Sequence, residues 1–320
     1  VLRTCLSLSA ITGRPVEIAN IRGGRAKPGM QAQHLACVEA AAQICGAAVT
    51  GANEGSLYLL FEPAHKPRAG DYAFDIGTAG SAILVAQTLI VPLSHCNERS
   101  RLVIRGGTHN PMAPTADYLE HVYAATLREF GYRFRSSFDP PGFYPRGGGE
   151  LRVEIEPVEA SDAISFTPLT SRAEFTARIV LCDLPANIGD RAEKLIRSAL
   201  PGIRVARVGA SGHSTGAAVT IATHHAGFSS LGAKGKPMES VAQEAIDEAR
   251  LWIEGDADVD EHLADQLVLP ALMARGTSRW KARRITEHLR TVLWVAAQFR
   301  DVESNVDESS RAVVIQVRDV

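Results

Sequence analysis

Two stretches late in the 320-residue chain carry side chains suited to chemistry on phosphorus. The first is Asp260-Glu261-His262-Leu263-Ala264-Asp265-Gln266. On a helix, His262, Asp265 and Gln266 fall at i, i+3 and i+4 and share a face. The carboxylate could hold a metal or a ribose, and the imidazole could stack on a base. An acid-rich, solvated first turn, favoured by the helix dipole, accounts for Asp258 to Glu261 better than it accounts for Asp265 and Gln266. The second stretch is Thr286-Glu287-His288-Leu289-Arg290. Leu289, Val292, Leu293, Ala296 and Ala297 repeat as the stripe of a packed helix, and Thr286 fits its N-cap. His288 then lies in the first turn, where free N–H groups favour an incoming phosphate and a neutral imidazole can act as nucleophile. A lone helical histidine is also a common structural residue.

Four glycine-rich segments precede these stretches. Arg22-Gly23-Gly24-Arg25-Ala26-Lys27-Pro28-Gly29, followed by Gln33-His34, offers cations and close backbone approach just before a helix, and a solvated turn would look the same. Asp75-Ile76-Gly77-Thr78-Ala79-Gly80-Ser81 leads into an apolar helix that holds Gln87, an amide needing a partner inside or outside the protein. Gly106-Gly107-Thr108-His109-Asn110-Pro111-Met112-Ala113-Pro114, followed by Asp117-Tyr118, reads only as an ordered loop. Gly142-Phe143-Tyr144-Pro145-Arg146-Gly147-Gly148-Gly149 is a flexible turn or a place where a phosphodiester backbone comes close to Tyr144 and Arg146. P-loop, GxGxxG, HExxH and GxSxG patterns do not occur.

The elements that must position these residues alternate between strand and helix, which predicts an α/β (α+β) fold. Strands are expected at Pro15 to Ile21, Leu57 to Phe61, Leu102 to Ile104 and Leu151 to Ile155. Helices are expected at Gln31 to Cys45, Ala79 to Leu93 and Thr115 to Gly131. Three βαβαββ-like units, near 1–65, 66–157 and 256–320, would form a large catalytic domain of residues 1–162 and 255–320. Residues 163–254 differ in texture: strand (Phe175 to Leu181), helix (Asp190 to Leu200), strands (Ile203 to Val208 and Ala217 to Thr223), helix (Ser240 to Ile253). This predicts a smaller βαββα insert domain.

Composition is ordinary and globular, with 45% hydrophobic and 22% charged residues, which excludes whole-chain disorder, collagen and coiled coil. The longest apolar run, Ala82 to Leu93, is too short to cross a membrane. No secretory leader is visible, and five cysteines without CxxC spacing fit a reducing, cytoplasmic setting better than a disulfide framework or a zinc site. The net charge of −2 hides an uneven distribution. Basic blocks at 1–30 and 275–290 flank residues 239–265, whose ten acids face Arg250 alone. Such blocks could make a local site for an anion or remain solvated faces.

In this order, RGGRAKPG with QH, IGTAGS, GGTHNPMAP, FYPRGGGEL, EHLADQLVLP and TEHLRT, the chain resembles the RNA 3′-terminal phosphate cyclases over nearly its whole length. The resemblance implies three βαβαββ repeats with a smaller inserted domain. It implies an enzyme that uses ATP to convert an RNA 3′-terminal phosphate into a 2′,3′-cyclic phosphate. A histidine is adenylylated with help from a divalent metal (Mg or Mn), AMP passes to the RNA phosphate, and the 2′-hydroxyl displaces it. By the same resemblance His288 is the nucleophile. Gln87 and the run His262, Leu263, Ala264, Asp265 and Gln266 bind ATP, with His262 stacking on adenine, Asp265 beside ribose or metal, and Pro114 and Tyr118 as the opposite wall. Arg3, Arg22, Arg25 and Gln33 would contact phosphate or the RNA end. The alternatives are a non-catalytic binding or ribosome-assembly relative, which would lack the nucleophile, and an enolpyruvyl-type transferase on related repeats, which would not explain the adenine-pocket residues.

Overall fold

A computed structural model of the chain describes residues 1–166 and 174–318. The fold is mixed α+β, with four sheets among the described residues. The first unit runs α1 (Leu2–Thr12), β1 (Val16–Ile18), α2 (Ala32–Cys45), β2 (Ala48–Thr50), β3 (Leu59–Glu62), with antiparallel sheet order β1-β3-β2. The second runs β4 (Asp71–Asp75), α3 (Ala82–Ser94), β5 (Ser100–Gly106), α4 (Ala116–Tyr118), a π-helical turn at Leu119–Tyr123, α5 (Ala124–Leu127), β6 (Arg133–Phe138), β7 (Gly149–Glu156). Its order is β4-β5-β7-β6, with β4 parallel to β5 and the remaining pairs antiparallel.

Next comes a block of β8 (Thr176–Cys182), α6 (Ala186–Ala199), β9 (Arg204–Ala210), β10 (Gly216–Ala222), β11 (Gly227–Leu231) and α7 (Met238–Ile253), in order β11-β10-β8-β9. The last unit is α8 (Leu263–Gln266), α9 (Val268–Met273), β12 (Thr277–Lys281), α10 (Glu287–Phe299), β13 (Val302–Asp307) and β14 (Ala312–Val317), in order β12-β14-β13. Its sheet and the first repeat the β5-β7-β6 order of the second. Among the described residues only the second unit has the full leading strand; at the third, isolated parallel bridges from Ser165 to Arg279 and from Val259 to Ala282 lie on β12 and just beyond its end.

Ser81 explains why α3 starts where it does. Its hydroxyl accepts the Leu84 N–H (3.3 Å), so the helix begins three residues later than expected. Every residue of α3 is buried, because α1, α2, β5 and β7 enclose it. One hydrophobic cluster joins all three units around it, and a second is confined to residues 177–252.

Three expectations need correction. Helix α1 was not foreseen, since Ser7 and Ser9 weaken its periodicity. In the fold their hydroxyls donate to Thr88 O (2.8 Å) and Arg14 O (2.6 Å), so tertiary contacts make serines acceptable on a buried face. The block from β8 to α7 is βαβββα rather than the expected βαββα, because β11 (GFSSL) is too polar to read as a strand and pairs through its backbone along β10. The expected helix Thr115 to Gly131 is interrupted by the π turn and ends at Leu127. Residues 167–173, near the expected start of the insert, and 319–320 lie outside the described residues.

The charge blocks also resolve. Lys281 pairs with Asp256, Arg283 with Glu248 on α7, and Arg284 with Glu261 at 3.0 Å. Much of the late basic block is thus spent on the acidic block before it. Among the described residues no helix is long and apolar enough to cross a membrane. All five cysteines are free.

Candidate active site

Helix α10 starts as the sequence suggests. Thr286 Oγ1 accepts the Leu289 N–H (3.1 Å), which fixes His288 in the first turn. The His288 side chain is 52% exposed, and its Nδ1 meets Oδ2 of Asp265, which is 13% exposed. With Nδ1–H donating to the carboxylate, the lone pair resides on Nε2.

Asp265 is carried by α8, a single turn that needs an external anchor, and Asp260 supplies it. Asp260 accepts the N–H groups of His262 and Leu263 (both 2.8 Å), the N–H of Gly227 (3.0 Å) and the Tyr118 hydroxyl (2.9 Å). Burial pushes the Asp260 carboxyl above the usual carboxylate range, against the pull of these donors. Burial and the neighbouring Asp260 charge likewise hold the Tyr118 hydroxyl protonated. Tyr118 is therefore buried, its ring against Gly227, where any side chain on that glycine would meet the Tyr118 ring carbons at 2.6 Å.

Gln87 reaches from α3 to the same place, its Nε2 donating to Gln266 Oε1 at 2.8 Å. The Gln87 Oε1 is buried and has no hydrogen-bond partner among the described residues. This leaves an orphaned acceptor at the Gln87–Gln266 contact. Leu263 and Ala264 are buried core contacts, His262 is exposed, and Pro114 is half-buried.

The phosphate candidates divide. Arg3 on α1 is half-buried, and its charge acts on His34 and, with that of Asp265, on Tyr123, so α1 and α8 converge there. Arg22 staples its own loop, with Nη1 donating to Lys27 O (2.7 Å) and Gly29 O (2.8 Å) from a left-handed backbone (φ 53°). Arg25 is exposed. Gln33 Oε1 accepts the Ser81 N–H (3.1 Å), tying α2 to the loop before α3.

Two residues stand out that sequence reasoning had not placed in the site. His34 Nδ1 accepts the Gln31 N–H (3.1 Å), which leaves the proton of the neutral ring on Nε2. Burial, then Arg22 and Arg3, push its pKa down to about 4, so it is a neutral donor near neutrality. The QH pair following a basic loop was the available signal. His109 is fully buried, bonded to Thr108 Oγ1 (2.8 Å) and Asp117 Oδ2 (3.2 Å), and Asp117 Oδ1 accepts from Arg178 of β8 (2.6 Å). Burial alone would raise Asp117, but His109 and Arg178 outweigh it and hold the carboxyl below its usual value. Nothing in the spacing of these three residues announces the network.

No group of three or more His, Cys, Asp or Glu side chains able to cage a metal exists among the described residues. Asp265 nonetheless fits a divalent cation of the kind held by one carboxylate together with substrate phosphates, since only its Oδ2 is engaged by His288.

A family model described as RNA 3'-terminal phosphate cyclase matches residues 1–306. The chain is 37% identical to the "RNA 3'-terminal phosphate cyclase" of Gloeothece citriformis, with 99% of this chain and 94% of the relative covered. It is 37% identical to the protein of that name from Salmonella agona (99% and 93% covered) and 39% identical to that from Methylococcus capsulatus (93% and 87%). Among solved structures, the enolpyruvyl transferase NikO from Streptomyces tendae aligns over 98% of this chain and 79% of that one, at 12% identity and a TM-score of 0.27, a likeness too small to bear on fold or function. The matched length, and the agreement of several relatives at this identity, show that the chain belongs to the RNA 3'-terminal phosphate cyclase family.

Proposed function

We propose that the protein converts an RNA 3′-terminal phosphate to a 2′,3′-cyclic phosphate with ATP, through AMP carried on His288. The observation that carries this reading is the His288–Asp265 pair, which leaves Nε2 free and half-exposed at a helix N-terminus. Nε2 attacks the α-phosphorus of ATP, an Nε2–P bond forms, the bond to the β-phosphate oxygen breaks, and pyrophosphate leaves. An oxygen of the RNA 3′-phosphate then attacks the same phosphorus and the P–N bond breaks. This regenerates neutral His288 and makes the RNA-adenylate. The vicinal 2′-hydroxyl attacks the 3′-phosphorus, AMP leaves, and the hydroxyl proton passes to solvent. That last attack is fast because the hydroxyl is already positioned.

Asp265 orients His288 and offsets the positive charge that develops on its ring. Gln87, Gln266 and His262 would receive the nucleotide, with Leu263 and Ala264 shaping the turn and Pro114 and Tyr118 the far side. Arg3, Arg22, Arg25, Gln33 and His34 would meet phosphate or the RNA end. A divalent metal, Mg or Mn, held by Asp265 and substrate phosphates, would neutralise charge at the α-phosphate. The separate hydrophobic cores support an insert domain at 163–254 within a catalytic domain of 1–162 and 255–320. Five free cysteines fit a cytoplasmic enzyme.

The test uses purified protein, ATP labelled at the α-phosphate, and three RNAs. An RNA with a 3′-phosphate should be cyclised, one with a 3′-hydroxyl should be inert, and one with a 3′-phosphate on a 2′-deoxy sugar should stall as the adenylate. Absence of acid-labile label on the protein would overturn the reading.

A further inference from the structure

The segment Gly142 to Gly149 is more than a hinge for β7. Its glycines are required by packing. A side chain on Gly147 would sit 2.7 Å from the Ala79 backbone, and one on Gly148 would sit 2.0 Å from Nδ1 of His213. One on Gly142 would sit 2.3 Å from the Gly106 carbonyl oxygen. Phe143 is buried beneath β10, where a side chain on Gly216 would strike its ring at 2.2 Å. The Arg146 N–H donates to Ser214 Oγ (3.1 Å), and the Asn110 amide donates to Ala79 O. Loops from the second unit and the insert are thus locked together, and the glycines serve that locking rather than approach of a ligand.

What this rigid platform holds outward is unusual. Tyr144 is 70% exposed and Met112 97% exposed, the latter from a left-handed backbone (φ 62°). Arg146 and His213 are exposed, and neither side chain has a hydrogen-bond or ion-pair partner among the described residues. Most arginines along the late basic block, by contrast, are paired. The platform is continuous with the candidate site. Gly80 lies against Gln33, where a side chain would meet the Gln33 Cβ at 3.0 Å, and Gln33 in turn holds Ser81.

We infer that Tyr144, Met112, Arg146 and His213 form the surface that receives the nucleotides upstream of the RNA 3′ end, and that the insert takes part in binding by lending His213. Tyr144 stacks on a base, with Met112 extending the apolar face, while Arg146 and His213 meet the phosphodiester backbone. Base–aromatic stacking tolerates any sequence, and an unpaired guanidinium suits a phosphate. The inference rests on the function proposed above.

The experiment measures cyclisation and binding of an oligoribonucleotide and a dinucleotide, both ending in a 3′-phosphate, with Tyr144→Ala and Arg146→Ala proteins. Loss of one stack should raise KM for the oligonucleotide about tenfold or more, leaving that for the dinucleotide unchanged. Arg146→Ala should also reduce the salt dependence of RNA binding by about 0.7 in the log–log slope. Loading of AMP from ATP alone reports the earlier step. If the parent protein does not load AMP, the proposed function fails. If loading is intact and oligonucleotide KM and salt slope are unmoved, this inference alone fails. Unchanged RNA binding together with an altered oligomeric state would assign the surface to a protein contact and overturn it.

Discussion

Two histidine–aspartate pairs among the described residues are set in opposite ways. His288 and Asp265 face each other at the start of α10, 52% and 13% exposed. His109 and Asp117 face each other under the insert, 0% and 2% exposed. Both ring nitrogens of His109 are occupied, by Thr108 and Asp117, and its ring stacks on Phe143 with centroids 5.0 Å apart. Asp117 has a further partner in Arg178. His288 has one nitrogen engaged and one free. The same two residue types therefore make a joint where every polar atom is satisfied, and a half-exposed pair where one ring nitrogen is left over.

Four substitutions sharpen this contrast. His288→Ala should reduce covalent AMP labelling to background while changing the unfolding free energy by no more than a surface change does, about 0.5 kcal/mol. Retained label would move the nucleophile elsewhere. Asp265→Asn keeps the shape but can present its amide N–H to Nδ1, favouring the wrong tautomer. Labelling should fall by about 10³- to 10⁴-fold, by analogy with other carboxylate-oriented histidines. A loss under tenfold would leave Asp265 no orienting role.

His109→Ala should do the reverse, costing about 3–5 kcal/mol in denaturant unfolding because it strips a buried carboxylate of a partner. Label per folded molecule should persist. Loss of label without loss of stability would make the buried pair part of the chemistry.

The smallest effect belongs to His34, a histidine with no carboxylate. Its folded pKa is about 4 and its reference value 6.5, so between these the unfolded chain binds more protons. Its share of stability is intact above pH 6.5 and is lost as the pH falls towards 4. His34→Gln should flatten the decline in Tm over that window, and an unchanged decline would place His34 outside the buried, Arg-lined setting described.

What was legible in the sequence follows the same division. The helix at Thr286 was readable because an N-cap hydroxyl and an apolar stripe are local signals. His262, Asp265 and Gln266 were readable as a shared face, though the helix proper is only one turn and owes its anchoring to Asp260. Tyr118 was expected as the opposite wall of the adenine pocket by resemblance alone, and its hydroxyl is committed to a residue 142 positions away. Non-local pairing of that kind leaves no periodic trace. Charge misled in a similar way: residues 275–290 read as a cationic block until Asp256, Glu248 and Glu261 are seen to meet it. Helix α1 and strand β11 escaped because serines weaken local pattern and only neighbours in space satisfy them.

The Asp260 joint bears on how such a protein could change over evolutionary time. One carboxylate ties the second unit through Tyr118, the third through α8, and the insert through the Gly227 amide. The insert also supplies Arg178 to Asp117, and Thr220 and Ser229 to Thr115. It is therefore not a detachable accessory. A shortened chain lacking the insert would leave two buried carboxylates each missing a donor, and would have to neutralise or replace Asp117 and Asp260 in the same step. Loss of residues 176–253 is thereby coupled to change at the root of the turn that carries Asp265, so trimming the molecule and keeping that turn are competing demands on one lineage.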